Sequence, residues 1–264
     1  MFSMDEAAIV NGLNIFYQTE GTGEPVILMH GNGLSHGMWK YNVGPLSRRF
    51  KVFAPDLPGF GRSDKPDADY GVEYYVDFLK GFMDVLQIEK AVLVGHSFLG
   101  VVAATFAVRN PGRVTKLVLA DACGVISMGS TLYKAVLKVG LWTMVRSRKA
   151  FYGSLLYDGA LGSRLDGVWL VPDSKDSRKA FYRNCREILD INLDYIWLLG
   201  QVSAPTLVVG GSCDRLAPPK GIKKYGELIL GSQTVFFEKC AHLPNVESPD
   251  RFNADVLEFL EKKS

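Results

Sequence analysis

The chain has 264 residues, a formal net charge of +2 and 47% hydrophobic residues. That length buries a large core and fits one α/β domain with an insertion, and a near-neutral charge balance argues against a dedicated nucleic-acid binder. The four cysteines, Cys123, Cys185, Cys213 and Cys240, are scattered with no C-x-x-C pair, so neither a zinc site nor a disulfide framework is suggested and the reducing cytosol is the simplest compartment.

The N-terminal stretch MFSMDEAAIV carries acids where a signal peptide would carry bases. Ala8–Val10 and Leu13–Gln18 alternate apolar and polar residues around Asn11-Gly12, which predicts a β-hairpin with a two-residue turn. Pro25–Met29 is a continuous apolar run, hence a buried strand, and it opens into His30-Gly31-Asn32-Gly33. Trp39–Phe50 reads as a helix and its exit, and Lys51–Ala54 as a strand. The loop that follows, Asp56 to Asp64, is bent by proline and glycine. Tyr74–Leu86 has helical spacing. Ala91–Val94 is a valine-rich buried strand interrupted by Gly95-His96-Ser97. From Phe98 a small-residue apolar helix runs to the stop signal Asn110-Pro111-Gly112, and Val114–Ala120 is the next strand. Strands alternating with helices imply a parallel sheet, and no segment reaches the apolar length of a membrane span.

From Asp121 to about Gln201 this rhythm stops. Ser130–Val145 is an apolar stripe interrupted by Lys134 and Lys138, and Ser177–Leu199 is helical. The segment reads as a helical cap inserted over the sheet's active edge, because it leaves a C-terminal strand end, where ligands of α/β sheets sit. An ordinary helical decoration is the alternative. The expected division is a core of residues 1–122 and 202–264 with a cap of residues 123–201. Within the stripe, Leu132, Val136, Leu137, Leu141 and Trp142 recur at helical spacing and are expected to line part of a substrate pocket, although core packing alone would also explain them. Thr206–Val209, Lys220–Leu230, Thr234–Phe237 and Asp250–Lys262 then resume the alternation as strand, helix, strand and helix. There are no internal repeats.

Ser97 thus stands at an abrupt strand-to-helix turn, which resembles the nucleophile elbow of the α/β-hydrolase superfamily. The usual G-x-S-x-G pattern is altered, with Leu99 in the last position and Gly100 one place late. HGNG, DLPGFGRSD, GHS, GGSCDRLAP and CAHLPNVESP follow in the family's order over nearly the whole chain. The resemblance implies a mostly parallel central sheet flanked by helices, with a catalytic serine, acid and histidine in that chain order. Carried onto this sequence, Ser97 is the nucleophile, Asp214 the acid past a later strand and His242 the base past the last one. A serine hydroxyl needs such a base, and the base an orienting group, because it is a poor nucleophile at its own pKa. Asp121 also follows a strand and is the rival acid. Asp56 is expected to bond turn amides, and His30 to brace its loop. The backbone N–H groups of Phe98 and Asn32 are the expected oxyanion hole.

The implied activity is that of a cytoplasmic serine hydrolase, a carboxylesterase for small to medium, largely apolar esters. Its partner is a small-molecule substrate, and the mechanism requires neither a metal nor an organic cofactor. Ser97 argues against the dehalogenases and epoxide hydrolases of the superfamily, which use aspartate. Two alternatives stay open. One is a carbon–carbon bond hydrolase of the meta-cleavage type, whose usual His-Gly-x-Gly-Pro-Gly loop departs here at Leu34 and Ser35. The other is a ligand receptor with little turnover.

Overall fold

In the computed structural model, which describes residues 4–124, 153–166, 168, 174–190 and 193–262, the chain begins with the expected hairpin. Asn11 and Gly12 take φ of 51° and 80°, the two positive values that a type I′ turn demands. They join β1 (Met4–Val10) to β2 (Leu13–Glu20) in antiparallel register, with Val10 opposite Leu13. β1 starts four residues earlier than its alternation predicts. Met4 to Ala7 form a largely exposed edge whose pairing to β2 runs through the backbone, down to Met4 opposite Thr19.

The other strands are β3 (Pro25–Met29), β4 (Lys51–Pro55), β5 (Ala91–His96), β6 (Val114–Ala120), β7 (Thr206–Gly211) and β8 (Gln233–Phe237). Together the described strands form one sheet in the order β1-β2-β4-β3-β5-β6-β7-β8, with β3 to β8 mutually parallel. From β3 the chain moves to β4 on one side and then crosses to β5 on the other. The C-terminal ends of β3 and β5 therefore flank the switch point, where an α/β sheet opens a crevice.

Helices flank the sheet. The stretch expected as one helix at Trp39–Phe50 is a short 3-10 turn, His36–Trp39, followed by α1 (Val43–Ser47). Gly37, Gly44 and Pro45 weaken a continuous helix there. Asn42, ahead of α1, does not cap it: its Oδ1 accepts from Asn245 Nδ2 (3.3 Å), and its amide donates to Asn253 Oδ1 (2.8 Å) and the Asn245 carbonyl (3.3 Å). α2 (Val72–Val85) buries a stripe that includes Tyr75, Phe78, Leu79 and Phe82. α3 (Phe98–Arg109) is buried from Phe98 to Ala107, as a helix without a polar face must be, and packs on β5 and β6.

The spacing predicted as one helix at Ser177–Leu199 is two, α4 (Lys175–Asp190) and α5 (Leu193–Leu199). α6 (Pro219–Leu228), α7 (Pro244–Glu247) and α8 (Pro249–Glu261) complete the chain. The pocket candidates Leu132, Val136, Leu137, Leu141 and Trp142 lie outside the described residues. No described helix is long and apolar enough to cross a membrane.

Candidate active site

Ser97 follows β5 directly and takes φ 56° and ψ −123°, a conformation costly for any residue with a side chain. The surrounding backbone fixes it. Its N–H donates to the Ala120 carbonyl (2.9 Å), and its own carbonyl accepts from Gly100 (3.0 Å) and Cys123 (3.3 Å). Two glycines make the turn possible. A Cβ at Gly95 would strike the Leu99 carbonyl, and one at Gly100 would lie 2.6 Å from Ala122 Cβ. The close approach thus falls at positions 95 and 100, and Leu99 is accommodated as a buried core residue, 1% exposed.

The three expected side chains meet at this point. Ser97 Oγ lies 3.0 Å from His242 Nε2, and His242 Nδ1 lies 2.7 Å from Asp214 Oδ2. All three residues are buried. Asp214 Oδ1 accepts the N–H groups of Leu216 (2.7 Å) and Ala217 (3.1 Å). Burial pushes the Asp214 carboxyl up, but the charge and hydrogen bond of His242 together with these two amides hold it below the usual carboxylate range. An ionised Asp214 accepts from Nδ1–H, which leaves Nε2 free to accept the serine proton.

The His242 loop is held from several sides. Its N–H donates to the Leu155 carbonyl (3.0 Å), and Glu247 accepts from the N–H of the preceding Ala241 (2.8 Å). His96 Nε2 contacts the His242 carbonyl at 2.7 Å, with the two rings 4.7 Å apart. Burial, and next the nearby His242, push the His96 imidazole down to about 3, so it stays neutral beside His242 and donates Nε2–H. His96 went unread in the sequence beyond being the middle residue of GHS, since its partner lies 146 residues away.

The loop after β3 lies against Ser97: a Cβ at Gly31 would be 3.2 Å from Ser97 Cβ and 2.5 Å from His96 Nδ1. His30 braces this loop, as expected. Its Nδ1 contacts the Gly31 carbonyl (2.8 Å) and its Nε2 accepts the Leu57 N–H (3.0 Å); burial pushes the ring down to about 4, so it is neutral. The Asn32 amide side chain reaches α4, at Cys185 Sγ (3.3 Å) and the Phe181 carbonyl (3.5 Å). Phe98 is the first residue of α3, where N–H groups lack helical partners and the helix dipole is positive. Asp56 bonds turn amides, as expected, accepting from the N–H groups of His36 and Arg62 at 2.8 Å each, and it also binds His36 Nδ1. Asp121 is not bonded to His242; its Oδ1 accepts the Gly211 N–H (2.8 Å).

Residues 24–249 match the sequence model of the alpha/beta hydrolase fold family. The chain is 30% identical over 269 residues to a 2-hydroxy-6-oxo-6-phenylhexa-2,4-dienoate hydrolase of Burkholderia cepacia, covering 95% of this chain and 92% of that one. Among solved structures it resembles a meta-cleavage product hydrolase from Pseudomonas fluorescens IP01, with TM-score 0.75, 27% identity and 97% of each chain covered. It also resembles a thermophilic esterase from Thermogutta terrifontis, with TM-score 0.82, 26% identity and 97% and 98% of the two chains covered.

Proposed function

Because the chain belongs to the alpha/beta hydrolase fold family and is a hydrolase, we propose that Ser97, His242 and Asp214 are its catalytic triad and that it cleaves carboxylic esters of small to medium, largely apolar substrates. The continuous hydrogen-bonded line from Ser97 Oγ through the imidazole to Asp214 carries this reading. Ser97 attacks the ester carbonyl as His242 Nε2 takes its proton, and Asp214 stabilises the imidazolium. The oxyanion is received by the N–H groups of Phe98 and Asn32. The tetrahedral adduct collapses, His242 returns the proton to the leaving alcohol, and water releases the acid by the same path.

The neighbouring groups suit an uncharged substrate. Among the described residues that face the Asn32 loop, α4 contributes Phe181 and the Cys185 thiol. Of the α4 cations, Lys179 and Arg183 are held on Asp67, and Arg186 pairs with Glu187. α4 also donates from Asn184 Nδ2 to the Tyr70 carbonyl (2.8 Å), so it is fastened across the loops after β3 and β4. These ties support the proposal that residues 123–201 form a cap over the site.

A second reading, hydrolysis of a carbon–carbon bond in a vinylogous diketone, is favoured by the identity to the dienoate hydrolase. The same serine and base would serve it. The test is a panel of p-nitrophenyl esters beside a 2-hydroxy-6-oxo-dienoate, with Ser97→Ala as control. Ester turnover that vanishes in Ser97→Ala is expected. Turnover of the dienoate alone would establish the second reading, and full ester activity in Ser97→Ala would refute the triad.

A further inference from the structure

Asp121 stands one strand from Asp214, at the same edge of the sheet. It follows β6 as Asp214 follows the neighbouring β7. It is fully buried and takes φ 46°, held there by its N–H on the Val209 carbonyl (2.8 Å). Its Oδ1 accepts one N–H, from Gly211. Its Oδ2 is buried and meets no donor among the described residues. What it faces is the Asp214 carboxylate. Asp121, Asp214 and His242 each present an oxygen or nitrogen, and these atoms all lie within 4.8 Å of one another.

Two buried carboxyl groups this close do not both ionise. The donors decide which one keeps the proton. Asp214 receives three, from His242, Leu216 and Ala217, whereas Asp121 receives one. Burial, and next the Asp214 charge, push the Asp121 carboxyl well above the usual range, with Glu247 adding to the push. The other ionisable groups beside the pair stay neutral: burial pushes the Cys240 and Cys123 thiols up and the His96 imidazole down.

Building on the triad reading, we propose that Asp121 is a positioning residue: its protonated Oδ2 donates to Asp214 and keeps that carboxylate in line with His242 Nδ1. The proton stays on Asp121 throughout the reaction, so the acid–base pair is a three-membered line with a neutral outer end.

The test uses diisopropyl fluorophosphate, which reacts with Ser97 through His242 whichever substrate is natural. The inactivation rate is followed against pH for the parent, Asp121→Asn and Asp121→Ala. Asn keeps a donor toward Asp214 and adds no charge. Its acid limb is expected to stay in place, with the rate reduced no more than about threefold. Ala removes the donor and leaves Asp214 more basic, so the imidazolium is held more tightly. The rate is expected to fall about tenfold and the acid limb to move up by about half a pH unit. If alanine does not fold, Asp121→Leu removes the same donor while keeping most of the side chain's volume.

An acid limb that falls by a pH unit or more in Asp121→Asn would mean a negative charge had been removed, and would overturn the proposal. A truncated variant with unchanged rate and limb would reduce Asp121 to a packing residue and overturn it equally. A parent that does not react, or a Ser97→Ala variant that still does, would instead overturn the triad on which the proposal rests.

Discussion

Replacing Asp214 with Asn tests the acid, and the structure dictates how the new amide must turn. Oδ1 accepts two backbone N–H groups, from Leu216 and Ala217. An Asn NH₂ cannot face two donors, so the carbonyl oxygen keeps that place. The NH₂ then takes the place of Oδ2 and points at His242 Nδ1, 2.7 Å away. Nδ1 must become an acceptor, and the imidazole proton moves to Nε2, where it faces the hydroxyl it should deprotonate. The fold loses little, because the volume and the turn are kept. The kcat is expected to fall by about 10³–10⁴, or about 4–5.5 kcal/mol of transition-state stabilisation. Initial rates on p-nitrophenyl butyrate measure the loss, and nitrogen NMR of histidine-labelled protein reads the tautomer. A variant within tenfold of the parent and still carrying Nδ1–H would refute the reasoning and move the acid to Asp121.

Two further substitutions probe the scaffold. Lys116 is 8% exposed and its ammonium donates to the carbonyls of Leu260 (2.7 Å), Phe259 (3.2 Å) and Lys262 (2.5 Å) at the end of α8. Lys116→Met removes a charged cap from a helix C-terminus, so a loss of about 2–3 kcal/mol is expected, seen as a Tm lower by about 5–10 °C with the Ser97 chemistry intact; an unchanged Tm would refute this. Leu99→Gly should cost about 4 kcal/mol, through a cavity and lost helix propensity, with kcat nearly unchanged, because the elbow's close contacts fall at Gly95 and Gly100. A variant as stable as the parent but much faster would show that the leucine strains the elbow.

The meeting of Ser97, Asp214 and His242 was legible because each of them lies behind a strand, and a parallel sheet gathers its C-terminal ends on one edge. Strand and turn signals are local, so Ser97, Asp214 and His242 could be placed from text a few residues long. What escaped the sequence depends on distant partners. The hydrogen bond from His96 to the His242 carbonyl spans 146 residues, and Asn42 meets Asn253 across 211. The Lys116 cap on α8 belongs to the same class, and no local pattern announces any of them. Leu99 looked anomalous because the motif places its glycine two residues after the serine, whereas the backbone contacts demand it three residues after.

The choice between the two acids shows how far local text can reach once one distant contact is known. Asp121 and Asp214 both follow a strand, and an aspartate in a turn ordinarily captures the N–H two residues on. Asp214 does so with Leu216 and adds Ala217. Asp121 is denied the equivalent donor, because the Cys123 N–H is committed to the Ser97 carbonyl at 3.3 Å. That bond is one of those holding the serine at φ 56°. The turn that strains Ser97 therefore also strips the neighbouring carboxyl of its amide. With fewer donors Asp121 holds the proton, and the negative charge falls to Asp214, the carboxylate bonded to His242.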